Sequence, residues 1–280
     1  MPALPGTGPK DPRRPLFSVN PVISDIHYRT NAYGAKYHSL QVNLDKRYGS
    51  GLTAHLAYTW SHNMTNTVGP NAVQFPPMNS RCIACDWGPA NEDRRHMLVI
   101  SHVYELPFGA GRPFLKQGVL SKIAGGWDIS GIWTMYSGLH NNPVNGTSDL
   151  SGTQYPGSSN FERPNVVAGC NPNDVPGGRT RLRWFNPSCF TQPALGTFGN
   201  SGAFTIVAPR LFTLDMGVFK KIPVTEKTTL QLRWEIFNTT NHTNFTLGTG
   251  TVVAAGSASA GVIGSAFPAR VMQVALKLSF

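Results

Sequence analysis

RVMQVALKLSF, residues 270–280, is the stretch on which the fold turns. Met272, Val274, Leu276, Leu278 and Phe280 are apolar, and between them stand Val271, Gln273, Ala275, Lys277 and Ser279, which are mostly polar or small. Alternation with a period of two describes a strand with one greasy and one wet face. A tilted strand of about 9–11 residues also crosses a bilayer. The same pattern suits an edge strand of a soluble β-sandwich, so the rest of the chain has to separate the two.

Working back from that end, Thr228–Asn238 places Leu230, Leu232, Trp234 and Ile236 in phase, and Leu211–Lys220 does the same with Phe212, Leu214, Met216 and Val218. Ile222-Pro223-Val224-Thr225 joins them as a hairpin. Gly126–Ser137 carries Trp127, Ile129, Trp133 and Met135 on one side. Asp93–Leu106 is rich in Val, Ile and Tyr, but its alternation is ambiguous. Ser39–Arg47 and Leu52–Trp60 alternate cleanly around the turn Tyr48-Gly49-Ser50-Gly51, and Val22–Arg29 is a weaker strand candidate. The connections run short, long, short, long, short, long, the second short one being Pro107–Gly125. Transmembrane barrels have short periplasmic turns and long outer loops, whereas a sandwich has no reason to alternate in this way. The expected fold is all-β: an antiparallel transmembrane β-barrel fragment of seven or eight strands, with Phe280 ending at the periplasm. Tyr58, Trp60, Trp127, Tyr136 and Phe280 stand at strand ends and suit interfacial girdles, or else a sandwich core. No amphipathic helical run is expected.

Composition agrees with a loop-rich chain of this kind. Charged residues are 14% of the 280, with 29 Gly and 22 Pro, against roughly 25% charged in ordinary soluble domains. The net charge of +10 is scattered, its densest groups being Arg13-Arg14, Arg94-Arg95 and Arg179–Arg183. A nucleic-acid binder concentrates its charge in a patch, so no nucleic-acid partner is expected. The most apolar long stretch, Val252–Phe267, is broken by Gly, Ala and Ser and reads as a loop. The first residues, MPALPGTGPKDPRRP, do not form a signal peptide, so the polypeptide is expected either not to be exported or to begin partway through a longer protein.

Cys82, Cys85, Cys170 and Cys189 all fall in the long loops. The first pair has the spacing of half a zinc site or a redox motif, but a second close pair and a βαβ setting are missing. Disulfides Cys82–Cys85 and Cys170–Cys189 are the preferred pairing of three possible connectivities, in loops facing an oxidising compartment. The histidines, His55, His62, His96 and His102 among them, form no metal motif. A Ser/His/Asp triad stays open, although no GxSxG elbow marks a nucleophile. Asp93-Arg94-Arg95-His96 reads as an ion-pairing or lumen-lining group, and Arg233 and Glu235 as lumen residues. No P-loop or dinucleotide fingerprint appears, so no catalytic, cofactor or metal site is expected and the protein reads as no enzyme.

Several runs then point to a family. Tyr37-His38-Ser39-Leu40-Gln41-Val42, Tyr58-Thr59-Trp60-Ser61, Asp93-Arg94-Arg95-His96 and Leu106-Pro107-Phe108-Gly109 are followed by Gly125-Gly126-Trp127 with Ser137-Gly138. Trp184-Phe185-Asn186-Pro187, Gly196-Thr197-Phe198-Gly199-Asn200 and Phe237-Asn238-Thr239-Thr240-Asn241-His242 come after them. In this order they resemble the distal β-barrel of Oar-like TonB-dependent receptors. The final strand, with Met272, Val274, Leu276, Leu278 and Phe280, resembles the carboxy-terminal assembly signal of outer-membrane barrels. The resemblance implies a receptor with a carboxypeptidase-regulatory-like domain, a plug and a barrel of about twenty-two strands, driven by TonB. Residues 1–280 would then be its carboxy-terminal portion, without signal peptide, TonB box, regulatory domain or plug. The implied partners are outer-membrane lipid, the barrel-assembly machinery, TonB through the missing part, and a bulky solute such as an oligosaccharide or peptide. The alternatives are a free-standing small barrel acting as an adhesin or structural protein, and a secreted β-sandwich lectin or hydrolase.

Overall fold

A computed structural model describes residues 18–20, 30–47, 51–67, 77–145, 150–151, 162–247, 257 and 259–280. The strand candidate at Val22–Arg29 lies outside them. Seven long strands dominate: β1 Ala35–Arg47, β2 Leu52–Thr65, β3 His96–Glu105, β4 Trp127–Tyr136, β5 Leu211–Pro223, β6 Thr229–Phe237 and β7 Val271–Ser279. Each pairs antiparallel with its sequence neighbour, so the order across the sheet is the order along the chain. The two-residue strand Gly88–Pro89 adds to the upper end of β2. The expected all-β fold, its long strands and the alternation of connections are all present, with β1 and β2 each running longer than their apolar alternation.

Register shows why the alternation matters. Val42 stands opposite Tyr58, Tyr58 opposite Leu98, Leu98 opposite Met135 and Met135 opposite Phe212. Farther along, Leu232 stands opposite Leu276. Because residues directly opposite share a face, seven period-two patterns become one continuous apolar surface. That surface is open: Leu276 and Val274 are 69% and 68% accessible and Phe280 is 96% accessible. The other face carries Gln41, Asn43, Thr59, Ser101, Ser130, Asp215, Gln231, Arg233, Glu235 and Gln273. Strand β3 looked ambiguous because Met97, Val99 and Val103 fall on this second face while Leu98 and Ile100 stay on the apolar one. An apolar surface turned outward and a polar one turned inward is the arrangement of a barrel wall in lipid.

Two sequence expectations need correction. Tyr136 is not on the apolar face with Tyr58, Trp60 and Trp127: it stands opposite Met97 and Leu211, and the Arg94 guanidinium lies 5.1 Å from its ring centroid. Counting strand ends without phase put it in the girdle. A helix, α1 Gly118–Ala124, also interrupts the longest of the short turns. Seven residues are too few to show periodicity, and so short a helix is stable only through its tertiary contacts.

Candidate functional site

At the end of the sheet where β2 stops and β3 begins, the long loops fold onto one another as a cap. Strand pairs His140–Asn141 with Ile206–Val207 and Asn165–Val166 with Phe190–Thr191 organise the stretch between β4 and β5. Its length therefore hides structure that no long alternation announces. Phe185, Cys189, Phe190, Ile206 and Ala260 form a buried apolar cluster, with Phe185 and Phe190 edge to face at 6.2 Å. The loop between β6 and β7 joins through Trp184 N–H to the Gly261 carbonyl at 2.8 Å and Ile263 N–H to the Arg181 carbonyl at 2.8 Å.

The cysteines stand in this cap. Cys82 is bonded to Cys85, and Cys170 to Cys189, with Cα atoms 5.3 Å apart in each pair. The second bridge fastens the apolar cluster directly. The first fixes the turn that presents Asp86, whose carboxylate lies 2.6 Å from the Arg163 guanidinium in a pair 0% and 1% exposed. Arg163 also donates from Nε to the Ser201 carbonyl at 2.8 Å and from Nη2 to the Cys85 carbonyl at 3.2 Å. Asp86 accepts the Met78 N–H at 3.0 Å. One arginine thus ties the loop after β2 to the loop after β4. Sequence reasoning missed it, since neither residue belongs to a motif and they stand far apart in the chain.

Asp93 is engaged by two histidines and a backbone amide. Its buried carboxylate meets His62 Nδ1 at 3.1 Å and lies 3.6 Å from His140 Nε2, and it accepts the Asn63 N–H at 2.8 Å. Arg94 behaves differently: it donates to the Ser137 carbonyl at 2.8 Å and covers Tyr136. His96 bonds the Tyr58 hydroxyl at 2.9 Å. Burial pushes the His140 imidazole below its ordinary range, against the opposing pull of the Phe204 carbonyl and Asp93. Ser61, beside His62, donates its hydroxyl to the Arg94 carbonyl at 2.9 Å rather than to an imidazole. Among the described residues, no three His, Cys, Asp or Glu side chains converge as metal ligands would.

On the polar face, Arg233 and Glu235 meet at 2.6 Å, Gln273 donates to the same carboxylate, and Arg233 lies over the Phe219 ring at 5.4 Å. At the short-turn end, Lys221 pairs with Asp128 at 2.7 Å. This surface carries mixed charge and amide groups.

A wall that is apolar outside, polar inside, tightly turned at one end and capped by long cross-linked loops at the other defines an outer-membrane β-barrel protein. The family model for an outer membrane beta barrel domain matches residues 2–273, and the chain belongs to that family. It is therefore an outer-membrane protein, its short turns periplasmic and its loops outside. No curated protein and no solved structure matches it.

Proposed function

We propose that the chain is the carboxy-terminal portion of an Oar-like TonB-dependent receptor, forming part of the wall and outer loops through which a bulky solute such as an oligosaccharide or peptide is taken up. The observation that carries this reading is the pair of open edges. Among the described residues, β1 and β7 each have a single ladder partner, yet both carry lipid-facing residues. Unpaired backbone in hydrocarbon costs several kcal/mol per group, so the sheet belongs in a wider closed wall. A wide barrel has a lumen, and the polar face with Arg233, Glu235 and Gln273 suits one; a barrel of about eight strands fills its interior with side chains. The ordered motifs supply the family, and TonB would act through parts that precede the wall. The role is non-enzymatic. Reading the genomic DNA upstream of Met1 tests it: an open frame encoding more strands, a plug and a signal peptide supports the receptor, and an in-frame stop behind a ribosome-binding site overturns it.

The same reading makes Met272, Val274, Leu276, Leu278 and Phe280 the signal read by the barrel-assembly machinery. Met272, Val274, Leu276 and Leu278 lie on one face of the last strand, and Phe280, just past its end, is almost wholly exposed. Phe280→Ser should abolish outer-membrane assembly, and normal membrane levels of that variant would count against the assignment.

A further inference from the structure

Lys220 is out of place. Its register partners Trp127 and Leu232 put it on the lipid-facing side of β5, where a lysine is destabilising at mid-bilayer and progressively less so toward the interfaces. It is nevertheless only 7% exposed, because helix α1 covers it. The Lys220 ammonium donates to the Lys122 and Ile123 carbonyls, both at 2.8 Å, and to the Gly125 carbonyl. The Trp127 indole N–H donates to the Ile123 carbonyl at 2.9 Å, and Lys220 lies 5.2 Å from the centroid of that ring. A helix ends with carbonyls lacking intrahelical partners and with partial negative charge; here a lysine and a tryptophan of the barrel wall satisfy them. The contact fixes α1 against the outside of the wall at its periplasmic rim.

The helix is amphipathic in the sense opposite to that of a helix on a soluble protein. Ser121 is the residue turned inward, 8% exposed, whereas Val119, Leu120 and Ile123 are 72%, 63% and 63% exposed. At about 100° per residue these three share one side of the helix, away from Ser121. Phe114 and Leu115 add to the exposed apolar surface just before it, and the exposed Lys116 and Lys122 flank it. In water such an arrangement would be a liability. Next to a membrane it is the pattern of an interfacial helix, with apolar residues about 5–10 Å into the headgroup and acyl boundary and cations toward anionic headgroups.

We propose that α1 is an in-plane membrane anchor: Val119, Leu120 and Ile123 insert into the periplasmic leaflet of the outer membrane, with Lys116 and Lys122 at the phosphates. The occupant is lipid because the helix surface continues the barrel's own lipid-facing surface through Lys220 and Trp127. The proposal rests on membership of the outer-membrane barrel family and is independent of the solute and of TonB.

The test uses the protein purified from outer membranes and reconstituted into vesicles of phosphatidylethanolamine and phosphatidylglycerol. A spin label at Leu120→Cys is read for oxygen and nickel-chelate accessibility, with Glu226→Cys in the β5–β6 turn as the aqueous reference. All four native cysteines are in disulfides, so the label is specific. Loss of nickel-chelate broadening at position 120, with broadening retained at 226, is the expected result; equal broadening at both overturns the proposal. Diazirine-phospholipid photolabelling of the unsubstituted protein repeats the test without a variant. Adducts on Val119–Ile123 support the anchor, and adducts confined to the strands refute it.

Discussion

The barrel wall and the loop cap are held together by opposite means. In the wall, the large apolar side chains point outward: Leu276, Val274 and Leu44 are 69%, 68% and 59% exposed, and cohesion comes from ladders running unbroken from β1 to β7. In the cap, Phe185, Cys189 and Ile206 are fully buried, two disulfides each brace one loop internally, and a buried arginine joins loops from different parts of the chain. The wall is built for hydrocarbon, where apolar burial against protein brings little and unsatisfied backbone is what must be avoided. The cap is a small water-soluble structure, with the hydrophobic core and paired buried charges that water demands. One chain therefore follows two folding rules, and the boundary between them lies at the upper ends of the strands.

The largest separation of the two regions is expected from Arg163→Ala. The substitution leaves Asp86 buried opposite a void, and breaking a buried ion pair from one side costs about 3–5 kcal/mol. The cap should loosen, with protease cleavage in 77–92 and 162–205, while the wall keeps its heat-modifiable migration in detergent gels. Loss of barrel assembly in this variant would mean that cap and wall fold as one unit, and the contrast would fail.

A second comparison works within the wall, between adjacent residues of one strand. Val274→Arg places a charge on the lipid face, at a cost of about 2–4 kcal/mol near the bilayer midplane. Gln273→Arg, one residue away on the polar face, should be nearly neutral. Outer-membrane levels should fall for the first variant and hold for the second. Equal tolerance of both would deny the wall its two solvents.

The same division explains what the sequence could show. In β7 and β6, alternation gave face, phase and boundary to within a residue or two, because every second side chain meets lipid and the pattern is local. In β3, Met97 and Val99 blurred it by being apolar on the inner face. Tyr136 was misplaced because its residue type suited a girdle while its phase did not. The cap was hardly legible. Its cysteines could be paired by proximity and compartment, but Arg163 finding Asp86 across the fold is a long-range fact with no periodic trace. Helix α1 was missed for a related reason: seven residues make fewer than two full helical turns, and what holds the helix is Lys220, a lysine on a distant strand.

The smallest effect concerns pH and the cap alone. Burial holds the His140 imidazole below its ordinary value of 6.5, with Arg95 and His62 pushing the same way and Asp93 and the Phe204 carbonyl opposing. The folded cap therefore resists a proton that the unfolded cap accepts. Above pH 6.5 the group is neutral in both states and contributes no pH dependence. As the pH falls through the unfolded-state value, the unfolded cap takes up the proton first, so stability declines until the folded-state value is passed. Amide exchange at Ile206 and Val207, the strand paired with His140, should accelerate between pH 7.5 and 5.5 after correction for the intrinsic rate, while exchange within β6 stays flat. His140→Gln should flatten the cap's response. Asp93→Asn should steepen it by removing the carboxylate that favours the charged imidazole. An unchanged slope in His140→Gln would assign the titration to another group.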